Sequence, residues 1–96
     1  MRSLRWTERA VAHLEGIVEF IGVTSPVYAE SVVLRIEQRL QLACEHPGIG
    51  KPAPEAPDES TRELVVMPYR VFYREHAGAI EVLAIVHGRQ HLPDAL

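Results

Sequence analysis

The chain has 96 residues, which is enough for one hydrophobic core, so residues 1–96 are expected to form a single domain. Hydrophobic residues make up 47% and charged residues 24%, a composition that excludes a disordered chain and offers no membrane span. The net charge of −3 argues against a surface coated with nucleic acid. The single cysteine, Cys44, and the absence of an apolar segment near the N-terminus predict a cytoplasmic protein.

The first half of the chain predicts two helices. Arg2 to Trp6 is a short segment that suits an edge strand, and Thr7 stands where an N-cap would open a helix. Apolar residues at helical spacing carry this helix from Thr7 to Ile21, with Gly22 as its expected end. Ser25-Pro26 is a strong start signal for a second helix, which Pro47-Gly48 stops. The short link between them predicts an antiparallel helical hairpin.

The second half predicts a long loop followed by three strands. Pro47 to Ser60 is rich in proline and its second half is acidic. Strands are predicted over Thr61–Met67, Tyr69–Glu75 and Ile80–His87, with a turn at residues 76–79. Short connections make these strands an antiparallel meander, and the apolar run of the last strand predicts a central strand covered on both faces.

The predicted element order is therefore β-α-α-β-β-β. We expect an α+β fold in which the N-terminal helical hairpin packs on one face of a small, mainly antiparallel sheet. The other face of the sheet is expected to be open and concave.

Five segments in this order resemble the ParE/RelE superfamily of toxins over nearly the whole chain. They are Trp6-Thr7-Glu8-Arg9-Ala10, then Ser25-Pro26 with Ala29, then His46-Pro47-Gly48 with Gly50, then Arg62-Glu63-Leu64-Val65-Val66 with Tyr69-Arg70-Val71-Phe72-Tyr73, and finally Ile85-Val86-His87-Gly88-Arg89. The resemblance implies the toxin of a type II toxin–antitoxin, plasmid-stabilisation-like module, neutralised by a cognate antitoxin. It leaves open a homodimer or a toxin–antitoxin hetero-oligomer.

Two activities compete within that superfamily. RelE-like members are ribonucleases that cleave mRNA in the ribosome, whereas ParE-like members inhibit DNA gyrase by binding and carry no cleavage chemistry. General acid–base groups and cations for a ribonuclease can be proposed here as Arg70, Arg74, His87 and Arg89.

The departures from the RelE-like pattern favour the ParE-like branch. Lys51 is the one lysine among ten basic residues, no tyrosine follows Tyr73, and the net charge is acidic. On this interpretation no residue is catalytic and the chain is a binding inhibitor, not an enzyme. A decayed, non-toxic module that only binds an antitoxin is the remaining alternative.

The residues expected to bind a protein partner form an arginine-rich set. Arg70, Phe72 and Arg74 alternate along one strand, which places them on one face. The face is expected to meet acidic residues of the antitoxin, and the complete set is Arg62, Arg70, Phe72, Arg74 and Arg89.

Arg70, Arg74 and His87 also have a purely structural interpretation. Arg70 and Arg74 could instead form ordinary cross-strand pairs with Glu63, Glu75 or Glu81. His87 could be a strand-end histidine, and its spacing from His91 would make a metal pair only on a helix. We expect no cofactor, no metal and no membrane partner.

Overall fold

The computed structural model describes residues 1–88, so Arg89 and His91 lie outside the described residues. The elements are β1 (Ser3–Trp6), α1 (Glu8–Thr24), α2 (Pro26–Glu45), a single 3-10 turn (Pro47–Ile49), β2 (Lys51–Pro52), β3 (Arg62–Val66), β4 (Tyr69–His76) and β5 (Ala79–His87). This confirms the predicted α+β order, with one addition: the two-residue strand β2 lies inside the predicted loop. Within residues 1–88, neither helix is long and apolar enough to cross a membrane.

Helix α1 ends three residues later than predicted, because Gly22 does not stop it. The helix continues through Gly22 to Thr24, and the Ser25 N–H still donates to the Ile21 carbonyl at 2.8 Å. Pro26 is what ends it, since the residue before a proline is driven out of the helical conformation and Ser25 is extended, with φ −151° and ψ 97°. The Ser25 hydroxyl then accepts the Tyr28 N–H at 3.2 Å and so caps α2.

The five strands form one mixed sheet in the order β1-β5-β4-β3-β2. The meander of β3, β4 and β5 is antiparallel as predicted, while β1 runs parallel to β5 at the edge. The β4–β5 turn is tighter than expected, with Ala77 and Gly78 both at positive φ, 51° and 76°. A two-residue turn with this geometry matches the natural twist of a hairpin.

Strand β5 is buried on both faces and contains a bulge. Phe72 pairs with Ala84 and its neighbour Tyr73 pairs with Val82, so Leu83 has no partner on β4. This extra residue reverses the alternation of side chains along β5. Val82 therefore faces the helices, Ala84 faces the opposite side, and the continuous apolar run serves two cores.

The larger core lies between the helices and the sheet. Helix α2 contributes Val32, Ile36 and Leu40, all fully buried. The sheet contributes Val71 and Tyr73, which are also fully buried. Burying side chains of this size stabilises the fold by roughly 1.5–3 kcal/mol each.

The opposite face of the sheet is not open, and the prediction of an exposed concave face was wrong. Residues 53–60, which we call the strap, cross this face. Ala53 and Ala56 are buried in a second cluster with Phe72, Ala84 and Val86. The small side chains of Ala53 and Ala56 let the strap lie close to the sheet. This contact joins segments that are distant in the chain, so the local sequence pattern does not predict it.

Tyr73 joins the turn that follows α2 to the core. Its hydroxyl accepts the Gly50 N–H at 2.8 Å and donates to the Pro47 carbonyl at 2.7 Å. Gly50 has no room for a side chain: a Cβ there would lie 2.7 Å from the Glu63 carbonyl oxygen and 2.7 Å from the Tyr73 ring. The turn after α2 is thus fixed against β3 and β4.

We predict that Gly50→Ala lowers the free energy of unfolding by about 1–3 kcal/mol, because the added methyl group overpacks against backbone and a buried ring. Urea unfolding followed by circular dichroism measures this. Gly48→Ala is the matched control, because a Cβ at Gly48 would meet nothing within 4 Å. Equal stability of the two variants would contradict the close packing at Gly50.

Candidate functional site

Two arginines on β4 form the centre of the candidate site. Arg70 and Arg74 lie with Phe72 on the face of the sheet opposite the helices, which confirms the predicted sharing of one face. The Arg70 guanidinium also stands over the Phe72 ring, with its carbon 4.8 Å from the ring centre. Such stacking holds the guanidinium flat and orients its donors.

Each arginine binds one carboxylate from a neighbouring strand. Arg70 Nε donates to Glu63 Oε2 at 2.6 Å, and Arg74 Nε donates to Glu81 Oε1 at 2.8 Å. The Glu63 and Glu81 side chains are only 11% and 16% exposed. The cross-strand pairs proposed as the structural alternative are therefore present, except that Glu75 pairs with Arg2 instead.

Each arginine also binds one carboxylate from the strap. Arg70 Nη2 donates to Glu55 Oε2 at 2.8 Å, and Arg74 Nη1 donates to Asp58 Oδ2 at 2.5 Å. The two strap carboxylates are far more exposed than their counterparts on the strands, at 44% and 39%. The result is two guanidinium groups between an inner and an outer row of acids.

The local hydrogen bonds shift the acidity of the outer row. The pKa of Asp58 falls to about 2, first because the Ser60 hydroxyl and backbone N–H donate to it and then because Arg74 does. The hydrogen bond from Arg70 lowers the pKa of Glu55. The pKa of Arg70 is raised by its hydrogen bonds to Glu55 and then Glu63, and the pKa of Arg74 by its hydrogen bonds to Glu81 and then Asp58.

Arg62, the first of the residues predicted to bind a partner, lies apart from this cluster. It shares the helix-facing side of β3 with Leu64, and its Nη1 donates to the Gly50 carbonyl at 2.7 Å. Odd and even positions of a strand face opposite sides, and Arg62 differs in parity from Glu63. Its role in the structure is to hold the turn that follows α2.

His87 also lies away from the arginine pair. It is exposed at the end of β5, its ring makes an edge contact with Tyr69 at 6.0 Å, and both residues line a groove beside α1 together with His13 and Ile85. The bulge at Leu83 decides this placement, because it puts Ile85 and His87 on the helix side of β5. The predicted set of Arg70, Arg74 and His87 is therefore not brought together, and Arg89 lies outside the described residues.

The groove beside α1 is a feature that the sequence did not reveal. Strand β1 pairs with β5 from Ala79 to Val82, and within residues 1–88 no strand pairs with the later part of β5 on that side. His13 takes its place at one position, where its Nδ1 accepts the Ile85 N–H at 3.1 Å. Among residues 1–88, no group of three or more His, Cys, Asp or Glu side chains is arranged to hold a metal ion.

The fold and this site define a small α+β protein with a cluster of ion pairs on one face of its sheet, and comparison with known proteins gives the family. Residues 4–92 match the family described as the ParE toxin of the type II toxin-antitoxin system, parDE. The chain belongs to this family, and it is thus the toxin component of a toxin–antitoxin pair.

Individual relatives agree with this assignment. The chain is 35% identical over 97 residues to the protein Y4kP of Sinorhizobium fredii, with 99% of this chain and 97% of the relative covered. It is 34% identical over 88 residues to toxin RelE2 of Caulobacter vibrioides, with 91% and 96% covered. A solved structure of the chromosomal ParDE toxin–antitoxin system from P. aeruginosa is similar with a TM-score of 0.74 and 26% identity, covering 91% of this chain and 96% of that one.

We predict that the inner ion pairs contribute more to stability than the outer ones. A double-mutant cycle of Arg70→Gln with Glu63→Gln should give a coupling of about 1–3 kcal/mol, because Arg70→Gln alone leaves the Glu63 carboxylate shielded and without its partner. The parallel cycle with Glu55→Gln should give less than about 1 kcal/mol, as exposed pairs do. Unfolding in urea measures both cycles, and equal couplings would contradict the distinction between the rows.

We also predict that His13 makes the fold less stable in mild acid. Burial, and then the charge of Arg9, lower its pKa below the ordinary value, and its Nδ1 must be unprotonated to accept the Ile85 N–H. The unfolded chain therefore binds this proton more readily than the folded chain. The stabilisation by neutral His13 is complete above about pH 6.5 and is lost as the pH falls through the folded-state pKa of His13. His13→Gln should flatten unfolding free energy against pH between about 8 and 5, whereas His76→Gln, at an exposed position, should not. Identical curves for wild type and His13→Gln would refute this.

Proposed function

We propose that this chain is a toxin of the ParE-like branch, which inhibits DNA gyrase by binding to it in the cytoplasm and is silenced by a cognate antitoxin. The observation that carries the proposal is the separation of His87 from Arg70 and Arg74 on opposite faces of the sheet. Nuclease chemistry needs a proton-transfer group and cations around one scissile phosphate. A binding inhibitor needs no such convergence.

The charge of the arginine face also supports an inhibitor over a nuclease. Two arginines sit among four carboxylates, so the cluster carries a formal charge of two minus four, or −2. A phosphodiester approaching this face would meet repulsion, and no release of counterions would offset it. The net charge of −3 for the chain acts in the same direction.

The groove beside α1 is our proposed place for part of the antitoxin. The edge of β5 beyond Val82 offers backbone groups that another strand could pair with. One of them, the Ile85 N–H, donates to His13 Nδ1 in this structure. Apolar side chains of α1, such as Ile17 and Phe20, line the same groove. An extended or helical segment can bind such a surface through backbone hydrogen bonds and apolar contacts.

A paired assay on the purified protein tests the function. One arm measures supercoiling by DNA gyrase and the accumulation of trapped DNA breaks, and the other measures mRNA cleavage in translating ribosomes. We expect gyrase inhibition with intact mRNA. The ribosome arm is needed because the similar Caulobacter protein bears the name toxin RelE2.

We further predict that His87→Ala inhibits gyrase as strongly as wild type does, because the proposed mechanism requires no proton transfer at this position. His76→Ala, at another exposed histidine, is the matched control. Codon-phased mRNA cuts that His87→Ala abolishes would overturn the proposal and make His87 a catalytic candidate. A protein inactive in both arms that still binds its antitoxin would be a decayed module.

A further inference from the structure

We propose that the strap competes, within the chain, for the place that an acidic segment of a partner protein takes on Arg70 and Arg74. Glu55 and Asp58 occupy the outward donors of the two guanidinium groups, and a partner would bind by replacing them. This rests on the proposed function only in so far as the face is taken to bind protein.

The exposure of the side chains indicates which carboxylates can be exchanged. The inner acids, Glu63 and Glu81, are shielded between strands and strap, whereas Glu55 and Asp58 keep 44% and 39% of their side-chain surface in solvent. The exposed ion pairs of Glu55 and Asp58 contribute little to stability, because water and salt compete for both partners. The inner row therefore fixes the arginines in position, and the outer row holds them loosely.

The exchange does not require the strap to unfold. Ala53 and Ala56 anchor its backbone on the Phe72 cluster. Thr61 holds both ends, since its carbonyl accepts the Ala53 N–H at 3.1 Å and its N–H donates to the Asp58 carbonyl at 3.0 Å. Rotation of two exposed side chains is enough to free one donor group on each arginine.

The geometry of the cluster favours an acidic peptide over a nucleic acid as the occupant. With the strap acids turned away, two arginines remain with two inner carboxylates, and the formal charge is two minus two, or zero. A neutral site exerts no long-range attraction on either polyanion, peptide or nucleic acid, so short-range hydrogen-bond geometry decides between them. It can still donate directed, charge-assisted hydrogen bonds to carboxylates held at a suitable spacing, as the strap itself shows.

The test removes the competing charges while keeping the strap in place. In Glu55→Gln/Asp58→Asn, the new amides are poor rivals for the arginines, and the amide oxygen introduced at position 58 can still accept from Ser60 as the Asp58 carboxylate does. Fluorescence anisotropy follows a labelled decaglutamate peptide and, separately, a labelled ten-nucleotide oligothymidylate. We expect the variant to bind the peptide about three- to tenfold more tightly than wild type, the effect of two weak exposed pairs.

The control is Glu37→Gln/Glu59→Gln, which makes the same change in net charge. Both residues are exposed, and residues 1–88 provide neither with an ion pair or side-chain hydrogen bond. Glu59 lies in the strap itself. This variant should bind the peptide like wild type.

Unfolding in urea first establishes that both variants are folded. An unchanged affinity in the strap variant, or an equal gain in the control, would overturn the proposal. A larger gain for oligothymidylate than for the peptide would assign the arginine pair to phosphates and reject the acidic segment. A gain for the peptide in a protein that fails to inhibit gyrase would leave this inference standing and reject only the proposed function.

Discussion

At Leu83, strand β5 carries one residue that β4 does not oppose, and this bulge decides which face of the sheet each β5 side chain occupies on either side of it. It interrupts the alternation of side chains between Val82 and Ala84, so that Val82 packs under the helices and Ala84 packs under the strap. It also turns His87 toward the groove beside α1. Bulges commonly re-aim side chains next to functional surfaces, and this one determines which residues can act together.

Above the strap side of the sheet, the arginines are held rather than free. A guanidinium that binds two carboxylates in a defined geometry has lost most of its attraction for distant anions, but its direction is fixed. Arg70 and Arg74 therefore form a positioned pair of hydrogen-bond donors instead of a basic patch. This favours recognition of one well-shaped protein surface over general affinity for nucleic acid.

Family membership establishes the fold and the toxin–antitoxin class, whereas the choice of target depends on the site. One fold can carry unrelated activities, because these depend on which side chains converge. In this chain the two faces of the sheet carry different chemistry: ion pairs on one, and an apolar groove with two histidines, His13 and His87, on the other. One small sheet therefore presents two surfaces of different chemistry, one on each face.

Local signals in the sequence determined the helices, the meander and the order of the elements, because a capping serine, a proline at the start of α2 and the apolar periodicity act over a few residues. They also placed Arg70, Phe72 and Arg74 on one face. Tertiary structure alone decided that β2 forms within the loop, that the strap covers the sheet, that Arg62 faces the helices, and that His87 faces the groove beside α1. These outcomes depend on contacts between distant segments and on a bulge that reverses the alternation of β5, and neither leaves a mark in the spacing of neighbouring residues.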